Sequence, residues 1–329
     1  MRNKLENVLF INTGGGIGDA LSSLVCINFI NKNFSIKNFF YYSTDLEKFW
    51  FDNKLSEFKP KNLITIKNFP QHFGFLYEHR KVSKNLINLF NFDKFDLIID
   101  NQTRLKNTLI YKKIPHQQYI SPCVNFLLSK PFILTKKNKN TTLRLINYLN
   151  KMIKKSNKPN YEIKIEEKFI NTAKKIMSKN NKYIGFSITA GHPTRNKEFE
   201  IKEIIKVANY YAENYIPTFF IEEKFNDLKK LLKKEIKNVY FPEELVDPSL
   251  RKPMMVTALG ALTEFNISID NGISHMLSFS QNKNFIFYND RSEKFKPVNE
   301  KNIVYDCKLN NTTIDFIKSE EIIRFINKN

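Results

Sequence analysis

The chain alternates short, continuous apolar runs with longer amphipathic stretches, and it does so in two separate series. The apolar runs are rich in β-branched and aromatic residues, as is typical of strands covered on both faces. Strands joined by helices form parallel sheets, because a parallel connection has to cross over the sheet. The pattern therefore predicts an α/β protein with two Rossmann-like, doubly wound domains.

Each series is predicted to begin with a strand and to continue through alternating helices and strands. The first series has strands at 7–13, 38–43, 62–67 and 95–100, with a helix at 19–31. The second has strands at 183–189, 217–222, 238–242, 265–270 and 284–289, with helices at 203–214 and 224–236. A final helix is expected from residue 319 onward, with Ser319 as its N-cap.

A polar stretch, "KKSNKPNYEIK" at 154–164, separates the two series. It contains Pro159 and has no hydrophobic periodicity, which is typical of a linker. A length of 329 residues also suits about two domains. We therefore place an N-terminal domain at 1–158 and a C-terminal domain at 159–329, and leave open whether the terminal helix packs back on the N-terminal domain.

The chain is strongly basic, with a net charge of +20 and a pI near 9.6. Either an anionic partner or a lysine-rich genomic bias would explain this balance. Between Lys130 and Lys182 there are fifteen Lys and Arg against three Glu, and that local excess fits a face that docks on an anionic membrane surface. No zinc finger, basic zipper or aromatic-interleaved RNA motif accompanies it, so nucleic acid is not an expected partner.

The three cysteines are widely separated and show neither a disulfide framework nor a zinc spacing, which is typical of a reducing cytoplasm. No stretch reaches the ~20 uncharged apolar residues that a membrane span needs. We therefore expect a cytoplasmic protein, with peripheral binding to the inner face of the inner membrane as a further option.

A glycine-rich turn, "TGGGIGD", follows the first predicted strand. Its glycines, Gly14, Gly15, Gly16 and Gly18, allow a ligand to approach the backbone closely, and helix-start amides favour anions. A dinucleotide fingerprint would need a third glycine where Asp19 stands, and a carboxylate there would repel a pyrophosphate. Two interpretations of Asp19 remain: it caps the helix, or it accepts a proton from a neutral substrate.

A second motif lies in "GFSITAGHPTRNKEF" at 185–199, where a strand passes through a loop into a helix. The loop carries Thr194, Arg195 and Lys197. Two cations and a hydroxyl on one loop suit a diphosphate, although a basic surface loop without a ligand would have the same composition.

The third motif is "ISIDNGISHMLSF" at 267–279. A strand is predicted to end at Asp270, Gly272 permits a sharp turn, and the next helix starts after Asn271, which makes an anion site by geometry. His275 lies about one helical turn further on, and a lone histidine more often packs or caps than takes part in catalysis. The sequence has no Asp-x-Asp motif, zinc pattern or nucleophile elbow, so we expect neither a metal nor another cofactor.

The order and spacing of these motifs resemble glycosyltransferase family nine, the heptosyltransferases of lipopolysaccharide core assembly. The family's motifs are matched by Gly18 and Asp19, by Lys197 and Phe199, and by Asp270, Gly272 and His275. "FDLIID" and "FYNDRSEKFKP" also resemble family segments, so the resemblance spans nearly the whole chain. The chain departs from the family at Asn271, where a Ser or Thr is usual, and at "MLSFS", which replaces a small Ala-rich run.

This resemblance implies a GT-B fold, in which two Rossmann-like domains face each other across a cleft. The acceptor would bind the N-terminal domain and the nucleotide sugar the C-terminal domain. Asp19 would be the catalytic base of an inverting, metal-independent transfer. Thr194, Arg195, Lys197 and the helix start after Asn271 would hold the leaving diphosphate, and either Glu222 or Glu223 would accept a hydrogen bond from the ribose.

The resemblance also indicates the substrates: an ADP-linked heptose as donor and a phosphorylated, lipid-linked glycan of the lipopolysaccharide core or a related type as acceptor. Without the family resemblance, the residues are also compatible with two other functional classes. One is a nicotinamide-dependent oxidoreductase, against which Asp19 argues. The other is a non-catalytic protein that binds anions or nucleic acid.

Overall fold

The computed structural model describes residues 3–13, 16–43, 50, 54–66, 88, 92–101, 103–190 and 197–329. The chain divides into two compact units, Met1–Asn160 and Tyr161–Asn329. Each unit contains a five-stranded parallel sheet with helices around it. The predicted α/β class with two doubly wound parallel sheets is confirmed.

In the first unit the strands are β1 (Asn3–Ile11), β2 (Phe34–Tyr42), β3 (Leu63–Thr65), β4 (Phe95–Asp100) and β5 (His116–Ile120). The helices whose bounds lie within the described residues are α1 (Ile17–Asn33), α2 (Leu105–Tyr111) and α3 (Thr141–Met152), with short 3₁₀ turns at Ser56–Phe58 and Cys123–Phe126. The strand order is β3-β2-β1-β4-β5. The chain winds outward from β1 to β3 and then returns to the other side of β1, so the winding direction reverses between β1 and β4.

In the second unit the strands are β6 (Tyr183–Ser187), β7 (Ile216–Phe219), β8 (Phe265–Ile269), β9 (Lys283–Tyr288) and β10 (Asn302–Asp306). The helices are α4 (Glu167–Ile176), α5 (Ile201–Tyr211), α6 (Asn226–Glu235), α7 (Pro253–Gly260), α8 (Gly272–Ser278), α9 (Ser292–Phe295) and α10 (Ser319–Lys328). The strand order is β10-β9-β8-β6-β7, so the winding reverses between β6 and β8.

The central strands are buried on both faces, as their continuous apolar runs require. Val8 to Ile11 in β1 and Leu97 to Ile99 in β4 are fully buried. In β6, Gly185 is required by a close approach: a Cβ at that position would collide with the side chain of Asn266 in the neighbouring β8. The two sheets are therefore rigid supports for the loops that follow their strands.

One predicted strand is wrong. Residues 238–242 form no strand; Tyr240 makes a single isolated bridge with Thr218. Pro242 begins a 3₁₀ turn directly afterwards, and because proline has no N–H it cannot extend a ladder.

The predicted cap of the terminal helix is also wrong. The N-cap of α10 is Lys318, which makes no side-chain cap, and Ser319 is the first helical residue. The Ser319 N–H instead donates to the buried carboxylate of Glu203 in α5, at 2.9 Å. This hydrogen bond, with the nearby Lys206, lowers the pKa of Glu203 to about 2. The helix α10 packs against α5 of the same unit.

Within the described ranges, no helix combines the length and the apolar composition needed to cross a lipid bilayer.

Candidate functional site

Parallel strands all end at the same edge of their sheet, and ligands of such sheets bind outside the carboxyl ends where the winding direction reverses. In this chain the reversals lie between β1 and β4 and between β6 and β8. The three sequence motifs follow β1, β6 and β8. Each motif therefore lies at the carboxyl edge of its sheet, where a ligand is expected to bind.

Asp19 lies in the first turn of α1 at the end of β1. The helix begins at Ile17 with Gly16 as its N-cap, so the interpretation in which Asp19 is itself the N-cap is wrong. The side chain of Asp19 is exposed, and a Cβ at Gly16 would lie 3.5 Å from its Oδ2 atom. A carboxylate in this turn is favoured by the positive end of the helix dipole. Gly18 is the second helical residue, and Gly14 and Gly15 lie outside the described residues.

A small polar network holds the backbone around Asp19. Its carbonyl oxygen accepts a hydrogen bond from Ser23 Oγ at 2.9 Å and a longer one from Asn12 Nδ2 at 3.5 Å. Asn12 Nδ2 also donates to the hydroxyl of Tyr41 at 3.2 Å, and the Asn12 N–H donates to the carbonyl of Tyr42 at 2.8 Å. Asn12 thereby connects the ends of two strands to the first turn of α1.

A second carboxylate, Asp100, ends β4 on the other side of the same reversal, and it is fully buried. Its Oδ2 atom accepts from Thr108 Oγ1 at 2.8 Å, from the Tyr119 hydroxyl at 2.9 Å and from Ser121 Oγ at 3.2 Å. Burial and the charge of Asp100 together raise the pKa of Tyr119. This hydroxyl cage makes Asp100 a structural acid, whereas Asp19 on the other side of the reversal is exposed.

In the second unit, Lys197 and Asp270 meet at the reversal between β6 and β8. The ammonium of Lys197 forms an ion pair with the carboxylate of Asp270, and the two side chains are 22% and 16% exposed. Two residues beyond Lys197, the buried ring of Phe199 packs edge-on against Phe287 with ring centroids 5.1 Å apart. The aromatic residue thus fixes the end of the loop and with it the position of the lysine.

The loop that carries the predicted diphosphate cations is closed at its base. The N–H of Ala190 donates to the Glu198 carboxylate at 2.6 Å, which ties together the two residues that flank 191–197. Thr194 and Arg195 lie outside the described residues. Glu198 was not predicted from the sequence, because a side-chain bond to a backbone N–H eight residues away leaves no local pattern.

Asn271 is the N-cap of α8 and also joins two strands. Its Oδ1 atom accepts from the Ser274 N–H at 2.8 Å. Its Nδ2 atom donates to Ser187 Oγ at 2.9 Å and to the carbonyl oxygen of Thr189 at 3.0 Å. A Ser or Thr could supply the cap but not both further bonds, so this departure from the family pattern adds a link between the ends of β6 and β8.

Two further predicted residues lie on α8. Gly272 is its first residue and is partly exposed, whereas His275 is 8% exposed and faces the protein interior. The sequence analysis missed Tyr288, which ends β9 beside Asp270. Its buried hydroxyl has no hydrogen-bond partner within the described residues, and burial with the charge of Asp270 raises its pKa. The end of the aromatic strand at 284–289 was the only signal for it.

Glu222 and Glu223 follow β7 at the same edge, and both are exposed. Glu222 pairs with Lys224 at 2.7 Å, while Glu223 forms an ion pair with Arg251. The two acids thus have different cation partners, and each keeps more than half of its side chain accessible. Within the residues that the structure describes, no group of three or more His, Cys, Asp or Glu could hold a metal ion.

Solved structures with the same architecture are known. A glycosyl transferase of family 9 from Veillonella parvula superposes with a TM-score of 0.70 at 16% identity, covering 100% of this chain and 98% of that one. The E. coli heptosyltransferase WaaC with ADP-2-deoxy-2-fluoro heptose gives 0.66 at 15% identity, covering 99% and 100%. E. coli ADP-heptose lps heptosyltransferase II gives 0.63 at 13% identity, covering 98% of each chain.

The chain has the fold of these glycosyltransferases. The likeness covers both units from end to end, so the resemblance seen in the motifs is confirmed at the level of the fold. Comparisons of the sequence alone find no matching protein-family model and no matching curated protein. In this glycosyltransferase fold, Asp19 stands on the first unit and the Lys197–Asp270 pair on the second.

Proposed function

We propose that this protein is an inverting glycosyltransferase that moves a sugar, heptose being the expected one, from an ADP-linked donor to a glycan acceptor of the lipopolysaccharide-core type. The observation that carries the proposal is the placement of Lys197 and Asp270 together at the reversal of the second sheet, in a fold shared with solved heptosyltransferases. One of those structures is of WaaC with an ADP-heptose analogue.

On the donor side, the proposal gives Lys197 the task of neutralising the diphosphate as it leaves. Charge on a leaving group is greatest in the transition state, so a fixed cation lowers the barrier more than it tightens ground-state binding. Asp270 holds the ammonium in place. Thr194 and Arg195 of the same loop, together with the start of α8 at Gly272, complete the proposed diphosphate contacts.

Other donor contacts follow from the same edge. Either Glu222 or Glu223 accepts from the ribose; both are exposed, and each already has a cation partner, Lys224 and Arg251 respectively. His275 lies on the buried side of α8, so it is proposed to support the donor site by packing rather than to contact the donor directly.

On the acceptor side, Asp19 acts as the general base. The acceptor hydroxyl attacks the anomeric carbon, the bond from that carbon to the diphosphate oxygen breaks, and the hydroxyl proton passes to the Asp19 carboxylate. A single displacement of this kind inverts the anomeric configuration. An exposed carboxylate meets the steric requirement of this step, and the buried Asp100 does not.

The proposed transfer needs no metal, because protein cations neutralise the diphosphate. Turnover should therefore continue in EDTA. Complete loss of activity in EDTA that Mg²⁺ or Mn²⁺ restores would contradict this part of the proposal.

Nucleotide binding tests the proposal directly. ADP at ~100 times its dissociation constant should stabilise the protein by roughly 2.7 kcal/mol and raise the melting temperature by several degrees. Lys197→Ala should abolish most of this shift, whereas Lys202→Ala, an exposed lysine that pairs with Glu200, should keep it. A shift with UDP but not with ADP would exclude ADP-heptose as donor, and no shift with any nucleotide would favour a non-catalytic protein.

A further inference from the structure

Exposed apolar side chains lie on the first unit in two segments, one after β4 and one after β5. They are Leu105, Leu109, Val124, Leu127, Phe132 and Leu134, and together they are called the apolar face below. The side chains of the last four are more than half exposed, and that of Leu134 is 73% exposed. Single exposed apolar residues are ordinary on a protein surface, but several within eleven consecutive residues mark a surface that binds something.

The backbone that presents this face is held in place. Val124 adopts a left-handed conformation with φ 47° and ψ 45°, which is costly for a β-branched residue. Phe126, two residues further on, is fully buried and stacks on Tyr148 with ring centroids 4.4 Å apart. The unfavourable backbone conformation of Val124 accompanies a turn in which Phe126 is buried while Val124 and Leu127 are exposed.

The segment after this turn is fixed in a similar way. Lys130 and Tyr119 exchange two backbone hydrogen bonds, of 2.7 and 2.9 Å. Further along, the Lys151 ammonium of α3 donates to the carbonyl oxygen of Leu134 at 2.7 Å, and the Tyr148 hydroxyl donates to that of Pro131. The neighbouring apolar helix α2 contacts the turn at 123–126. The exposed apolar side chains are thus parts of an ordered surface.

The segment of chain that carries this face is basic. Residues 101–161 contain thirteen Lys and Arg and not a single Asp or Glu. Several of these cations directly follow the apolar segment and are exposed, namely Lys136, Lys137 and Lys139, while Lys130 lies within it. The stretch of chain that carries the apolar face is therefore strongly basic.

An apolar surface surrounded by lysines is complementary to one kind of partner in particular. Apolar side chains insert at the boundary between headgroups and acyl chains, and lysines bind the phosphates above them. We propose that this face of the first unit docks on a bilayer that contains anionic phospholipid. The surface is independent of the proposed transfer chemistry, since none of its residues belongs to the donor or base site.

The position of the apolar face determines where Asp19 lies when the unit is docked. The helix α2 follows β4, and the turn at 123–126 follows β5, so both extend from the sheet edge that also carries Asp19. Since β4 pairs directly with β1, a docked unit holds Asp19 on the same side as the membrane surface. A lipid-anchored hydroxyl compound would then reach the base without leaving its bilayer.

Vesicle co-sedimentation of the full chain tests the docking. We expect binding to vesicles of phosphatidylcholine with about 30% phosphatidylglycerol, weaker binding as salt rises, and little binding to pure phosphatidylcholine. The double variant Leu127→Ser/Leu134→Ser should lower the partition coefficient at least ~10-fold. The matched control is Leu309→Ser/Phe316→Ser in the second unit, where the two side chains are 76% and 70% exposed; it should bind like the parent protein.

Charge variants complete the test. Lys136→Gln/Lys137→Gln should weaken binding to anionic vesicles ~10-fold or more, and Lys179→Gln/Lys308→Gln, which removes two exposed lysines elsewhere, should not. Absence of vesicle binding by the parent protein would overturn the proposal. So would an equal loss in both serine variants, or tight RNA binding that the lysine variant reduces and the leucine variant leaves unchanged.

Discussion

Asp19 and Asp270 occupy comparable places at the carboxyl edges of the two sheets, yet their surroundings differ. Asp19 is exposed in the first turn of a helix. Asp270 is largely covered and forms an ion pair with Lys197. Environment decides what a carboxylate can do: an accessible one can take a proton, whereas one engaged by an ammonium serves to position that cation. The difference gives the first unit a candidate base and the second unit a candidate anion site.

The largest effect is expected at Asp19. Asp19→Asn keeps the shape of the side chain but makes it a far weaker base, so kcat should fall by about 10²–10⁴-fold. The melting temperature and ADP binding should change little, because the diphosphate is assigned to the other unit. The matched control is Asp227→Asn, which removes an exposed acid from the first turn of α6 and should leave kcat intact. Near-normal turnover in Asp19→Asn would end its assignment as base.

The next effect is expected at Lys197. Lys197→Ala should reduce kcat/KM by about 10²-fold, with a loss in kcat as well as a rise in the donor KM, because the cation acts most strongly on the departing charge. The exposed Lys202 provides the control, and Lys202→Ala should retain parental kinetics. A rise in KM alone, with kcat unchanged, would reduce Lys197 to a ground-state binding residue and weaken the contrast between the two edges.

A smaller effect is expected at Asn271, and it concerns stability. Asn271→Ala removes the cap of α8 and both bonds to the end of β6, which should cost about 1–3 kcal/mol of unfolding free energy. Asn271→Ser should recover the cap but not both bonds, and so fall between the alanine variant and the parent in urea denaturation. Equal stability of Asn271→Ala and the control Asn180→Ala, an exposed loop residue, would disprove the bridging role.

The smallest effect is a pH dependence of the second unit. The pKa of Glu203 is about 2, below its ordinary value, so its bond to Ser319 stabilises the fold above about pH 4.5 and is lost as pH falls towards 2. By pH 4 the loss should reach up to about 1 kcal/mol. Urea denaturation of Glu203→Gln between pH 6 and pH 4 should show a shallower decline than the parent, while Glu264→Gln, an exposed acid, should follow the parent. If the unfolding free energy declined equally with pH in the parent, Glu203→Gln and Glu264→Gln, the stabilising role of the Glu203–Ser319 hydrogen bond would be contradicted.

The sequence predicts the centre of each sheet better than its rim. Strands β1, β4, β6, β8 and β9 are largely buried on both faces and are rich in β-branched and aromatic residues. The pattern missed β5 and β10, "HQQYI" and "NIVYD", each of which is one of the two edge strands of its sheet. The opposite edge strands, β3 and β7, were predicted. An edge strand has fewer buried neighbours and tolerates polar residues such as those of β5, which weakens the sequence signal.

The candidate site shows the same division. The sequence places Lys197 and Asp270 at one edge of the second sheet, because loops after parallel strands converge there, but it did not predict their ion pair. The bonds that hold them could not be predicted: Glu198 to Ala190, and Asn271 to Ser187 and Thr189. Each joins a side chain to a partner that only the fold brings near, and no local spacing encodes it.

The close approach of Gly185 to Asn266 has a consequence for how this chain can change by mutation. An alanine at position 185 would collide with the Asn266 side chain and press on the ring of Phe220. It becomes acceptable only after Asn266 has been shortened, yet Asn266 Oδ1 is also the acceptor for the buried hydroxyl of Thr263. The three positions are therefore epistatic, and the order in which substitutions arise decides which of them survive. Directed evolution of the adjoining site would advance faster from a library that varies positions 185, 263 and 266 together than from one that varies them singly.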